Sequence, residues 1–133
     1  RLGGQGDLTE RNFLWKNPRS LPNVPSPLVY RGVLYTLKEG GILTSFDVKT
    51  GEILKQERLP GALGAYYSSP VAADGKIYAI SEEGKAAVIR AGAQWELLAV
   101  NNLDDGSKST IAIAGGKLYV RTYSALYCFQ KKD

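Results

Sequence analysis

Short apolar runs alternate with glycine-bearing turns along this chain, and the clearest stretch is Ser69 to Ile89, SPVAADGKIYAISEEGKAAVI. Its first two runs, Pro70 to Ala73 and Lys76 to Ile80, are separated by Asp74-Gly75, a pair that accepts the positive φ angles of a two-residue hairpin turn. A third run, Ala86 to Arg90, follows Glu83-Gly84, so the segment predicts three consecutive antiparallel strands joined by minimal loops. In the middle strand Ile77 and Ala79 share one side, Tyr78 and Ile80 the other. A sheet that is apolar on both faces has to be covered on both.

The pattern occurs twice more. SPLVYRGVLYTLKEGGILTSFD, from Ser26, matches it at an offset of 43, and STIAIAGGKLYVRTYSALYCFQ, from Ser109, at an offset of 41. Gly32, Gly75 and Gly116 fall in register, and so do Tyr35, Tyr78 and Tyr119. Between the copies lie Glu52 to Leu59 and Trp95 to Asn101, expected as outer strands, with Asn12 to Lys16 the first of this kind. The chain thus divides into three antiparallel units of four strands, approximately 12–47, 52–90 and 95–130, each led by its outer strand. Residues 1–11 are glycine-rich and polar, and Asn17 to Pro25 holds three of the six prolines, so both are expected to be irregular.

A four-stranded, doubly apolar unit recurring every 41 to 43 residues is the signature of a β-propeller blade, which its two neighbours sandwich around a central axis. The fold class is therefore all-β. Helical solenoids of similar period need a 3.6-residue hydrophobic rhythm, and no segment sustains one over ten residues. A β-sandwich of about a dozen strands would not require a constant repeat. Trp-Asp repeats need Gly-His and Trp-Asp pairs, yet the chain has no histidine and neither tryptophan precedes an aspartate. Nor do Gly40-Gly41 and Gly115-Gly116 share one turn, as a kelch diglycine would.

Ser69-Pro70, Asp74-Gly75, Ile77-Tyr78 and the turn Asp47-Val48-Lys49-Thr50-Gly51-Glu52 resemble the blade motif of the quinoprotein-like, or PQQ-like, propeller family, over Trp15 to Phe129. In that motif an Asp-x-x-Thr-Gly turn precedes an outer strand bearing a tryptophan that staples neighbouring blades. Here the expected tryptophan is Lys55, and the second unit carries Ala91-Gly92-Ala93-Gln94 with Trp95 displaced, which predicts a less regular outer ring. The resemblance implies a propeller of six to eight blades of which these are the last three, the closing outer strand being lent by the protein's beginning. It also implies an extracytoplasmic location. Three blades cannot close a ring, so self-association through the open blade edges is expected. The lack of any methionine agrees with a piece of a longer protein.

Composition narrows the function. No apolar run is long enough for a transmembrane helix. Seventeen Lys and Arg against thirteen Asp and Glu leave a net charge of +4, but the basic residues are scattered, which argues against nucleic acid as a partner. Cys128 is the only cysteine, so no internal disulfide is possible, and it is expected to be a small buried hydrophobe. Without histidine there is no Ser-His-Asp triad and no imidazole metal ligand. Asp104-Asp105-Gly106 lacks the spaced oxygens of a calcium loop and is expected to be a turn. Glu82-Glu83 is expected to be a solvated pair rather than an acid/base couple.

Candidate binding residues sit on loops. The connections Asn17 to Pro25, Pro60 to Ser68 and Asn102 to Lys108, and the turns Lys38 to Gly41, Glu82 to Gly84 and Thr122 to Ser124, should share one end of the blades. Rigid blades make such loops good carriers of function. Tyr66 and Tyr67, approached through Gly61 and Gly64, are the most binding-like pair, with packing beneath the loop as the competing reading; Arg121, Tyr123, Glu82 and Lys38 are further candidates. The expected function is a non-enzymatic scaffold presenting loops to a protein or polymer partner. The alternative is a fragment of a PQQ-dependent quinoprotein dehydrogenase, with quinone and calcium as cofactors, and no quinone-binding residue is identified for it here.

Overall fold

The computed structural model describes residues 3–6 and 13–131. These form eleven strands: β1 (Leu28–Tyr30), β2 (Val33–Lys38), β3 (Ile42–Asp47), β4 (Ile53–Arg58), β5 (Val71–Ala73), β6 (Lys76–Ile80), β7 (Lys85–Arg90), β8 (Glu96–Asn102), β9 (Ala112–Ala114), β10 (Lys117–Arg121) and β11 (Leu126–Gln130). All pairings are antiparallel meanders, in the orders β1-β2-β3-β4, β5-β6-β7-β8 and β9-β10-β11. The chain is an all-β partial propeller, as the repeat requires.

Local chemistry explains the hairpins. Both turn residues have positive φ in each first hairpin: Arg31 and Gly32 at 50° and 76°, Asp74 and Gly75 at 49° and 71°, Gly115 and Gly116 at 55° and 71°. This conformation matches the right-handed twist of the flanking strands. The repeat extends to its irregularities, because the register shifts at Ser45/Phe46 and again at Val88/Ile89, the same position one repeat later. Such bulges bend the sheet and increase its twist.

The core lies between the sheets. Tyr35, Leu37, Leu43, Ile77, Ala79, Ala87 and Ile89 form one cluster across the first two blades, and Ile80, Ile111 and Val120 form a second across the last two. Tyr35 spans the first gap with its hydroxyl, which accepts from the Gly92 amide at 2.8 Å. Near the inner strands the Ser26 amide donates to the Ser69 hydroxyl at 2.8 Å, and the Ser69 amide to the Thr110 hydroxyl at 3.1 Å. The same latch therefore joins each blade to the next.

Three expectations are corrected. Outer strands β4 and β8 pair with the hairpin run that precedes them, so the sheets span 28–58, 71–102 and 112–130. A turn of a few residues holds β4 beside β3, whereas the next run lies across a twelve-residue connection. Second, no strand forms at residues 13–16, and Asn12 lies outside the described residues. Trp15 instead lays its ring against Gly51, and its Nε1 donates to the Val48 carbonyl at 3.0 Å. Third, Cys128 is exposed, because among the described residues β11 has no outer neighbour and one flank stays open.

Lys55 and Trp95 show what replaces the missing staple. The Lys55 ammonium sits 4.5 Å above the centre of the Trp95 ring and donates to the Trp95 carbonyl at 2.9 Å. Lys55 thus meets the β7–β8 turn of the second blade much as Trp15 meets the β3–β4 turn of the first. The expected irregularity is chemical, a cation on an aromatic face in place of an indole on a glycine.

Candidate functional site

The loop end is built by the connections entering β5 and β9 and by the turns β2–β3, β6–β7 and β10–β11. Each connection bridges the turn before it and the turn after it. The Gly40 amide donates to Gly64 at 2.8 Å and the Glu82 amide to Ala65 at 2.8 Å; Ser107 donates to Glu82 at 3.0 Å and Tyr123 to Gly106 at 2.8 Å. Two buried serines hold the connections from below: Ser68 donates to the Ser109 carbonyl at 2.9 Å and Ser107 to the Arg121 carbonyl at 2.7 Å. Buried hydroxyls that find partners in this way stiffen a loop.

On this base stands one cluster of side chains. The Lys108 ammonium lies 3.1 Å from the Glu82 carboxylate and 4.7 Å from the centre of the Tyr67 ring. Its pKa is raised above the ordinary lysine value, first by the Glu82 hydrogen bond and charge, then by Tyr123 and Tyr67. Tyr123 lies against Gly106, where a Cβ would come within 2.5 Å of the ring. Beside it the Asp105 carboxylate accepts from the Ser124 hydroxyl at 2.5 Å and from its amide at 3.0 Å. These bonds, the hydroxyl first, hold the Asp105 pKa below the usual carboxylate range.

Of the residues singled out from sequence, Tyr67, Tyr123 and Glu82 converge here. Tyr66 does not: it is 3% exposed, donates to the Ala62 carbonyl at 2.5 Å, and burial raises its pKa. Adjacent tyrosines in an extended segment point to opposite sides, so one packs beneath the loop and the other reaches solvent. Arg121 is exposed at the end of β10 and Lys38 half-buried at the end of β2. Among the described residues no hydrogen bond or ion pair joins either side chain to the cluster. Lys108 is the residue that the motif reading missed; its signals were its place at the end of a connection already expected at this end and its offset of 41 from Tyr67. Glu83 lies apart from Lys108, near Gly64, so the adjacent carboxylates are split between two environments.

The arrangement offers two partly exposed phenol rings, an ammonium with three donors and a carboxylate with free acceptor capacity. Among the described residues no group of three or more His, Cys, Asp or Glu side chains could hold a metal ion. No described helix is long and apolar enough to cross a membrane.

The family model described as outer membrane protein assembly factor BamB matches residues 7–133. No curated protein sequence matches the chain. Among solved structures, BamB from Moraxella catarrhalis is similar over 78% of this chain and 32% of its own, at 16% identity and a TM-score of 0.64. A quinohemoprotein alcohol dehydrogenase from Pseudomonas putida is similar over 73% of this chain and 16% of its own, at 16% identity and a TM-score of 0.60. The computationally designed protein Ika4 is similar over 96% of this chain and 99% of its own, at 10% identity and a TM-score of 0.55. The chain therefore spans about a third of that BamB and about a sixth of that dehydrogenase. At these identities the likeness is one of fold.

Proposed function

From the premise that this chain belongs to the BamB-type family of PQQ-like propeller repeats, we propose that it is part of a non-enzymatic scaffold whose loop end binds a protein or polymer partner. The observation that carries this reading is the loop end itself, where Tyr67 and Tyr123 are held rigidly yet stay 38% and 53% exposed. Rigid, half-exposed tyrosines supply contact area at little cost in side-chain entropy, which is why they recur as binding hot spots. The family description, outer membrane protein assembly factor, supports an extracytoplasmic site of action and a protein among its partners.

The competing reading, a fragment of a quinoprotein dehydrogenase, draws support from the shared fold. Among the described residues Trp15 packs on Gly51 and Trp95 lies beneath Lys55, which favours the scaffold reading over a tryptophan-stacked quinone within these blades.

The test uses the full-length protein. Captured partners are compared between the wild type and a Tyr67→Ala/Tyr123→Ala double variant, and dye-linked alcohol and sugar oxidation is assayed with PQQ and Ca²⁺ added. Loss of a captured partner in the variant, with no turnover, is the expected result. Robust quinone-dependent turnover overturns the reading.

A further inference from the structure

We propose that the Tyr67–Lys108–Glu82–Tyr123 cluster is a subsite for a neutral polysaccharide, the two phenol rings taking sugar faces while the ammonium and the carboxylate bond its hydroxyls. The proposal rests on the reading of the loop end as a binding face and names the chemistry that this face fits.

Charge is the first argument. Lys108 and Glu82 are already paired at 3.1 Å, so these four residues carry no net charge of their own, while the Asp105 carboxylate beside them is engaged by Ser124. A charged partner would have to compete with an existing ion pair for either side chain. A hydroxyl group both donates and accepts, so it can bond Glu82 and Lys108 together without separating them.

Shape is the second argument. Apart from the two tyrosines, the large exposed apolar side chain on the loop entering β5 is Leu63, with Leu21 and Val24 exposed on the connection entering β1. A standard protein interface buries about 1,200–2,000 Å² around an apolar centre, more than the cluster itself supplies. Two rigid rings beside a small set of hydrogen-bonding groups match instead the scale of one or two sugar units, flat and weakly apolar on their faces and polar at their rims. The rings are held for this: the Tyr123 amide bonds Gly106, and the Tyr67 backbone is flanked by Ser68 and Ser69, both anchored to the third blade. Each contact of this kind is weak, and a polymer compensates by presenting many equivalent units.

The experiment is affinity electrophoresis of the full-length protein through gels containing hydroxyethylcellulose, xyloglucan, glucomannan or amylopectin. The expected result is retardation by at least one of these polymers, with the apparent affinity falling tenfold or more in Tyr67→Ala and in Tyr123→Ala and retained in Tyr67→Phe, which keeps the ring. These side chains are exposed, so the variants should fold, and unchanged melting temperatures check that they do. Retardation by none of the four polymers, or equal retardation of wild type and alanine variants, overturns the proposal. Capture of a protein partner that the double variant abolishes, without polysaccharide binding, overturns the sugar assignment and leaves the binding face standing; if the variant alters neither, both fall.

Discussion

Lys55 on Trp95 is the residue-scale contact with the sharpest consequence. Trp95 is 3% exposed and its Nε1 has no acceptor, so the indole is held by packing and by the ammonium on its face rather than by a hydrogen bond. A cation over an aromatic face contributes about 0.5–2 kcal/mol, depending on how far it is desolvated. Lys55→Ala should therefore lower unfolding free energy by about 1 kcal/mol in urea titrations, and Trp95→Ala by about 3–5 kcal/mol, because it also leaves a cavity. If Lys55→Ala costs nothing, the ammonium is not what seats the ring. Two carboxylates set the acid limit. Asp105, bonded by Ser124, and Asp47, bonded by the Thr50 and Lys49 amides, both have depressed pKa values. A depressed folded-state pKa means that protons bind the unfolded chain more readily. The stability these groups contribute is present above the unfolded value, near pH about 4, and is lost as pH falls through the folded one. Melting temperature should fall as pH is lowered below about 4, and Asp47→Asn/Asp105→Asn should flatten that limb while lowering the melting temperature at pH 7.

At the scale of the element, the hairpins hold their register through positions where a side chain has no room. A Cβ on Gly84 would stand 2.2 Å from the Asp105 carbonyl, and one on Gly41, its equivalent a repeat earlier, 2.6 Å from the Ala62 carbonyl. Both have positive φ, 82° and 67°. The corresponding residue of the third blade is Ala125, and no described connection packs on it. Gly84→Ala should thus both strain the turn and push the 102–108 connection away from it. We expect a loss of about 2–3 kcal/mol in stability, together with weakened binding at Lys108, read by chemical denaturation and by the electrophoresis described above. Gly75→Val tests the first hairpin of the same blade: φ is 71°, where a β-branched residue is strained by about 1–2 kcal/mol. An unchanged melting temperature in that variant would contradict the role given to the turn.

For the whole molecule, the open flank of the third blade is where association is expected. The β11 strand exposes Leu126 and Phe129, and its inner side borders a cavity of about 280 Å³ lined by Tyr78, Val88, Leu103, Ile111, Leu118 and Phe129. Unpaired strand edges with apolar side chains template pairing with another strand. The 133-residue chain alone should therefore show a mass above 14.4 kDa that rises with concentration in light scattering, and Leu126→Lys should bring it down to the monomer. A stable monomer at every concentration would remove the edge as an association site.

The blades were legible in the sequence because their causes are local. Turn glycines at positive φ and apolar residues on both faces recur at one spacing, and each acts within a few residues of itself. Contacts between distant segments were not legible. Which neighbour an outer strand joins, that Trp15 packs on a turn instead of forming a strand, that Cys128 stays exposed, and that Tyr66 and Tyr67 part company all depend on what lies alongside in space. The cluster around Lys108 is the plainest case. Its members come from the connection entering β5, the β6–β7 turn, the connection entering β9 and the β10–β11 turn; the offset of 41 makes Lys108 the equivalent of Tyr67 and Tyr123 that of Glu82, but the repeat does not say that these positions of neighbouring blades touch. The chain's own pattern determined that there are blades and how they repeat; only their packing decided which side chains meet where the loops converge, since an ion pair or a ring contact acts over a few ångströms, whatever the separation along the chain.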